Sequence, residues 1–265
     1  MSYLELANVS YTYPNGFEAV RDVSLKVELG ESVAIIGQNG AGKTTTVKLM
    51  NGLLKPTQGE VLVEGRSAKG ATTAEISRSV GYVFQNPDDQ IFQETIYKEI
   101  AYGLVSQKLT KELIQQRVVE VAALCGLAES LKEHPYNLPY SKRKFVTIAA
   151  VIAMDPQVII LDEPTAGQDR QSTELLGQII DQLAQKGKSV ITITHDMEFV
   201  ASQFKRVIVF ANKAKRKDGS PEQIFWDEQL LKLANLKQPY ICQLAKLLGK
   251  TGVMTIEELL ERSFK

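Results

Sequence analysis

The densest chemistry in the chain lies in Gly37-Gln38-Asn39-Gly40-Ala41-Gly42-Lys43-Thr44. This run fits the P-loop pattern at every position. It follows a short apolar run, Val33-Ala34-Ile35-Ile36, and opens a helical pattern over Lys43–Asn51, which is the context the pattern requires. Glycines let successive backbone N–H groups turn inward as a nest for phosphate oxygens. The helix start adds partial positive charge. Lys43 is placed to reach β- and γ-phosphates, and the Thr44 hydroxyl to ligate Mg²⁺. The nucleotide-binding set is therefore Gly37, Asn39, Gly40, Ala41, Gly42, Lys43, Thr44 and Thr45. A glycine-rich helix cap is the plainer reading, and the complete motif in its proper context outweighs it.

A second group completes the chemistry. In Val158-Ile159-Ile160-Leu161-Asp162-Glu163-Pro164 a carboxylate emerges at the end of an apolar strand. That edge is where ligands bind in open α/β sheets. Asp162 suits the water shell of the Mg²⁺ ion, and Glu163 can orient or deprotonate an attacking water. An exposed acidic turn would be a fair alternative for this segment alone; beside a full P-loop it is not.

The elements that must position these groups are an α/β core. Leu4 and Leu6, then Val23, Leu25 and Val27, alternate with polar neighbours around the turn Pro14-Asn15-Gly16, which predicts half-buried antiparallel strands. Continuous apolar runs at Val33–Gly37, Gly81–Phe84, Val158–Leu161, Ser189–Thr194 and Val207–Phe210 predict buried parallel strands. The interval Thr95–Met154 instead carries three helical patterns, around Ile96–Leu104, Thr110–Cys125 and Ser141–Met154, and Pro156 ends the last. It reads as a helical insertion. From about residue 216 the chain reads as a small helical tail, with Thr255-Ile256-Glu257-Glu258 a capping box for a last helix.

Bulk properties narrow the function. With 265 residues the chain suits one large domain with an appendage. Lys plus Arg and Asp plus Glu are both 31, so the net charge is zero and no broad basic footprint for nucleic acid exists. Cys125 and Cys242 lack metal-ligand spacing, and Cys125 continues the helical face Ile114, Val118, Val121, Ala122 as a core residue. The N-terminal residues do not read as a secretory signal, and no run approaches the roughly 18 apolar residues that cross a bilayer.

The P-loop and the Asp162–Glu163 strand end, in this order, resemble the nucleotide-binding subunits of ABC ATPases, and the likeness covers most of the chain. The resemblance implies an α/β P-loop core of ABC type. It carries an N-terminal antiparallel β region, a helical subdomain at about residues 88–154 within a nucleotide-binding domain at 1–215, and a tail at 216–265. It implies that Tyr13 stacks on adenine and that Gln85 contacts Mg²⁺ or water and senses a membrane domain. Asp169 matches the D-loop, with Gln168 where leucine is usual, and His195 matches the switch histidine that contacts the γ-phosphate. Glu163, His195 and Gln85 are then the catalytic set; Thr44, Gln85 and, through bound water, Asp162 serve the metal.

One motif departs from the family. The signature Leu-Ser-Gly-Gly-Gln aligns without gaps on Leu138-Pro139-Tyr140-Ser141-Lys142, where only the leucine agrees. In the family this motif closes on ATP held by the opposite subunit. Pro139 lacks both hydroxyl and N–H, and Tyr140 adds bulk. A lost hydrogen bond to a charged group costs about 1.5–3 kcal/mol. Two readings follow: the chain pairs with a paralogue bearing an intact signature, or Ser141, Lys142 or Arg143 substitute. The first is favoured; a homodimer stays possible.

Asn86-Pro87-Asp88-Asp89-Gln90-Ile91-Phe92, Glu99–Leu104 and the tail are similar to the ATPases of energy-coupling-factor importers of vitamins and transition metals. That likeness implies a peripheral subunit at the cytoplasmic face of the cell membrane. It implies a second ATPase subunit, a transmembrane coupling subunit, a substrate-binding membrane subunit, and ATP with Mg²⁺. Asp88, Asp89 and Glu94 are candidate partners for basic coupling helices. Two competitors stay open: a soluble ABC ATPase acting on ribosomes or DNA, against which one P-loop, no sustained heptads and no basic excess argue, and a poorly hydrolysing regulatory subunit, against which Lys43, Glu163 and His195 argue.

Overall fold

The computed structural model describes residues 2–263. The chain opens with β1 (Leu4–Thr12) and β2 (Glu18–Val27), followed by β3 (Ser32–Gly37), α1 (Lys43–Met50), β4 (Gln58–Val63), β5 (Arg66–Ser67), α2 (Thr73–Ile76) and β6 (Val80–Val83). The helical insertion comprises α3 (Ile96–Ser106), α4 (Lys111–Leu124) and α5 (Tyr140–Ala153). The core resumes with β7 (Val158–Asp162), α6 (Arg170–Gln185), β8 (Ser189–Ile193), α7 (Met197–Gln203), β9 (Arg206–Ala211) and β10 (Ala214–Gly219). Four short helices close the chain: α8 (Pro221–Phe225), α9 (Glu228–Ala234), α10 (Tyr240–Leu247) and α11 (Ile256–Ser263).

Two sheets form. An antiparallel sheet runs β2-β1-β4-β5 and a mixed sheet runs β10-β9-β3-β8-β7-β6. In the second, β9, β3, β8, β7 and β6 are mutually parallel and only β10 runs against its neighbour. The parallel strands read as unbroken apolar runs because both faces are covered. Val33, Ile35, Val158 and Ile160 face the core shared with the antiparallel sheet and α1. Ala34, Ile36, Ile159 and Leu161 face the core shared with the insertion and α6. Each of these isoleucines is at most 1% exposed, and each such burial is worth about 1.5–3 kcal/mol.

Thr95 and Thr110 cap α3 and α4 by accepting from Lys98 N and Leu113 N, which sets the first two insertion helices where the periodicity places them. Cys125 is buried, as its helical face implies, and burial pushes its thiol up to about 12. Among the described residues no helix is long and apolar enough to cross a membrane.

Several elements lacked a sequence signal. β10 reads Ala-Lys-Arg-Lys-Asp-Gly, without apolar alternation, because it is an edge strand whose lysines keep other strands from docking. Helices α8 and α9 put Ile224, Phe225, Leu230, Leu231 and Ala234 into the same core as the insertion. Thr255 caps the last helix by accepting from Glu258 N at 3.1 Å, while the Glu258 carboxylate turns back to Met254 N at 2.8 Å.

Candidate functional site

The loop between β3 and α1 bends where only glycine fits. At Gly42, φ is +97°, and a Cβ would lie 2.5 Å from the Ala19 carbonyl oxygen. At Gly37 a Cβ would lie 2.1 Å from the Phe210 carbonyl oxygen. This packing lets the loop wrap a cleft of about 420 Å³ lined by Asn39, Gly40, Lys43, Thr44, Gln85, Glu163 and His195, among others. Three candidates picked by family likeness or strand position thus reach the P-loop from β6, β7 and β8. Gly42, Thr45 and Ala166 complete the lining; Ala41 packs beneath it, 1% exposed.

Lys43 is buried, and its Nζ donates to the carbonyls of Gly37 at 2.6 Å and Gln38 at 3.1 Å. Burial lowers its pKa, against the pull of the Glu163 and Asp162 carboxylates. His195 Nε2 lies 3.4 Å from that ammonium and 3.2 Å from Glu163 Oε1. Burial and Lys43 both lower the His195 pKa, so the ring stands beside Glu163 uncharged and not as the cation of an ion pair. The His195 backbone N–H also donates to Glu163 Oε2 at 3.2 Å. Glu163 is nearly buried, and burial pushes its carboxyl up to about 7, a value suited to a base at neutral pH.

Asp162 sits deeper. Its Oδ2 accepts from the Tyr82 hydroxyl at 2.6 Å, and its Oδ1 is buried without a partner among the described residues. Burial raises its pKa as well. The orphaned carboxylate oxygen, with the Thr44 hydroxyl and the Gln85 amide oxygen that line the cleft, makes an all-oxygen donor set. It fits a hard cation that keeps most of its ligands from water and substrate phosphate. Tyr82, on a fully buried strand, escaped the sequence reading; the signal was available, since a buried tyrosine hydroxyl needs a polar partner.

Tyr13 is half-buried at the edge of the cleft. Its hydroxyl is 3.2 Å from Thr45 Oγ1, and its ring stacks near Phe17 at 6.4 Å. Asp169 caps α6, accepting from Ser172 N at 2.7 Å.

The altered signature forms the start of α5. Pro139 stands at the helix N-cap without a side-chain cap bond. Tyr140 packs beside Gly167, and Gln168, the second departure from the family pattern, donates to the Ser141 carbonyl at 3.3 Å. The two unusual segments therefore touch. Arg143 lies under the Tyr136 and Tyr140 rings, 5.2 and 5.6 Å from their centroids, and bonds Asp88 at 2.7 Å. Of the three acidic candidates for a coupling surface, Asp88 is thus held by Arg143 and Glu94 by Lys98 at 2.5 Å. Asp89 carries no ion pair among the described residues. A thermal-unfolding cycle of Asp88→Asn and Arg143→Gln should give a coupling of about 0.5 kcal/mol for this half-exposed pair, and strict additivity would deny the link.

A phosphate-wrapping loop, a buried aspartate and a polarised glutamate–histidine pair, with a helical insertion on the sheet, define an ATPase of the ABC class. The ABC transporter family profile matches residues 20–166. The energy-coupling factor transporter ATP-binding protein EcfA of Methanocaldococcus jannaschii is 36% identical over 259 residues, 97% of this chain and 93% of its own length. The solved structure of cbiO1 from Clostridium perfringens, described as part of the ABC transporter complex cbiONQ, superposes with a TM-score of 0.80 at 29% identity, over 94% of this chain and 99% of that one. A dimeric ATP-binding cassette, MJ0796, bound to ADP and phosphate after hydrolysis gives 0.76 at 26% identity, over 82% and 98%. The chain belongs to the ABC transporter ATP-binding proteins, in the energy-coupling-factor group.

Proposed function

We propose that this chain energises import of a micronutrient, a vitamin or a transition metal, from the cytoplasmic face of the membrane, through a coupling subunit and a substrate-binding membrane subunit. The observation that carries this reading is the convergence of Lys43, Gln85, Glu163 and His195 on one cleft. The segment after Gln85 continues directly into the exposed Phe92 and its neighbour Tyr102, 4.7 Å apart edge to face. A nucleotide-dependent shift at Gln85 would reach that surface within a few residues. Residues 1–215 act in this reading as the nucleotide-binding unit, with 88–154 as its helical subdomain and 216–265 as a tail. The relatives' names support the transporter class, and no residue here reports the cargo.

In the proposed mechanism the P-loop N–H groups, Lys43 and Thr45 bind the phosphates, and Tyr13 takes the adenine. Thr44, Gln85 and Asp162 would hold Mg²⁺, which would neutralise phosphate charge during transfer. Glu163 receives the proton of the attacking water, and the His195 backbone N–H holds the Glu163 carboxylate while its neutral ring faces the γ-phosphate. Clamping of two subunits precedes hydrolysis, and opening resets the transporter.

The partner ATPase in this reading is a paralogue. Ser141 is half-buried and Arg143 is engaged with Asp88 and two rings, which leaves Lys142 as the exposed cation at the α5 start. In a homodimer both composite sites would be weakened. Restoring the signature by Pro139→Ser, Tyr140→Gly, Ser141→Gly and Lys142→Gln together should raise ATP turnover at the partner's P-loop about tenfold, one charged hydrogen bond regained. Unchanged turnover would mean that the partner's site does not depend on this segment.

The test of the whole reading is capture of the tagged chain from gently solubilised membranes. A second ATPase with an intact signature and two membrane proteins are expected. Capture with ribosomal or DNA-bound factors and no membrane protein would sink it.

A further inference from the structure

Lys144 is 1% exposed, although it follows two basic residues at the start of α5. Its Nζ donates to the main-chain carbonyl oxygen of Glu163 at 2.5 Å, and no carboxylate lies within ion-pair distance of it among the described residues. A buried ammonium without a close counter-ion is costly to keep. Burial lowers its pKa to about 8, partly offset by the fields of Glu163 and Asp162. Its helical neighbours Phe145, Val146 and Ile148 show what the position would hold if packing alone decided it.

The accepting residue explains the lysine. Glu163 has φ of +50°, a left-handed backbone that a non-glycine residue adopts at a cost of about 1–3 kcal/mol. Pro164 follows it and pushes its preceding residue toward extended backbone. Glu163 is therefore strained and must be held from several sides. Its N–H donates to the Ile193 carbonyl at 2.9 Å, and its carboxylate accepts from the His195 N–H at 3.2 Å. The carbonyl is the remaining handle: it accepts a longer bond from the Ala166 N–H at 3.3 Å and the shorter, charged one from Lys144. If Glu163 relaxed about φ toward the extended form, its carbonyl and side chain would turn together, and the carboxylate would swing off the His195 N–H.

We infer that Lys144 is a positioning residue for the water-activating carboxylate: its buried ammonium pins the carbonyl of Glu163, holds that residue in its left-handed conformation, and so fixes the aim of the side chain. The same bond ties α5, whose start is the altered signature, to the base of this chain's own site. The inference rests on Glu163 activating the water, as proposed above.

The test uses the assembled complex purified through the tagged chain, with steady-state hydrolysis of radiolabelled ATP measured over a range of ATP concentrations. Lys144→Met is unbranched, one atom shorter, and removes the donor. Its kcat should fall about tenfold or more while KM for ATP moves less than about threefold, the split expected when only the chemical step is misaligned. Lys144→Gln, one atom shorter but still a donor, should recover part of the loss. In a Glu163→Gln background, Lys144→Met should cost nothing further, because there is no base left to aim. A kcat of Lys144→Met within twofold of the parent overturns the inference. So does an equal loss in both backgrounds, which would mark a structural role. Should Lys144→Met fail to fold, Lys144→Leu, likewise apolar and without a donor, decides: a kcat lowered about tenfold at near-constant KM supports the inference, and parental kcat overturns it. Glu163→Gln alone tests the underlying role. Unchanged turnover there sinks the water-activating assignment, whereas an inactive Glu163→Gln beside a fully active Lys144→Met sinks only the role of Lys144.

Discussion

Glu163→Gln lowers ATP turnover at this chain's own P-loop site roughly a thousandfold, within the range a positioned general base supplies, and leaves ATP binding in place. The substitution is nearly isosteric. The amide oxygen still accepts the His195 N–H, which now bonds Oε2 at 3.2 Å, so the loop keeps its hold. What is lost is the affinity for a proton. Burial has raised the Glu163 carboxyl to about 7, opposed by the His195 N–H and by Lys43, and an amide cannot take the place of that base. The neutral His195 ring lies 3.2 Å from Oε1, but burial, and after it Lys43, lowers its pKa and makes it a poor substitute base. Phosphate release and binding of a fluorescent ATP analogue, measured side by side, check this. Parental turnover would revive the reading in which this chain regulates and its partner hydrolyses.

The parts of this site that a backbone pattern encodes could be read from sequence. The P-loop announces itself because Gly37, Gly40 and Gly42 are demanded by local geometry, and Asp162 because it ends a strand whose apolar run is visible. Tyr13, Gln85 and His195 have no local pattern; one aromatic, one amide and one imidazole at element ends became candidates only through family likeness. The structure brings Gln85 and His195 into the same cleft as Lys43 and puts Tyr13 against Thr45. Lys144 was hidden for a different reason. Ser-Lys-Arg-Lys reads as a solvated basic helix start, and for Lys142 it is one. Yet Lys144 shares a helical face with Thr147, Ile148 and Val151, all buried, and that spacing points a long side chain inward. Charge composition spoke for the surface while periodicity spoke for the core, and periodicity was right. The paired departures at Tyr140 and Gln168 were each visible, but their contact was not, since 27 residues separate Gln168 from Ser141.

Lys43→Met should have the other large effect, and of a different kind. The Lys43 ammonium sits inside the loop, 2.6 Å from the Gly37 carbonyl and 3.1 Å from that of Gln38, in a buried site where no water replaces it easily. Loss of a preorganised cation facing the transferred phosphoryl group costs about 10²–10³ in turnover. Unlike Glu163, this group also meets the bound triphosphate before any bond breaks, so affinity falls too, by about 1.5–3 kcal/mol for a charged hydrogen bond. The chain without nucleotide should lose little stability, because removing the buried ammonium also removes its desolvation cost, which offsets the two bonds lost to backbone carbonyls. The expected signature is therefore a nearly unchanged Tm without ligand and a smaller rise in Tm on adding ATP with Mg²⁺, since stabilisation by a ligand scales with the logarithm of its concentration over Kd. Glu163→Gln should keep the full rise. A Lys43→Met protein that is stabilised by ATP as strongly as its parent would show that the loop N–H groups alone carry binding. Lys43 would then act only on the step in which the γ-phosphate leaves.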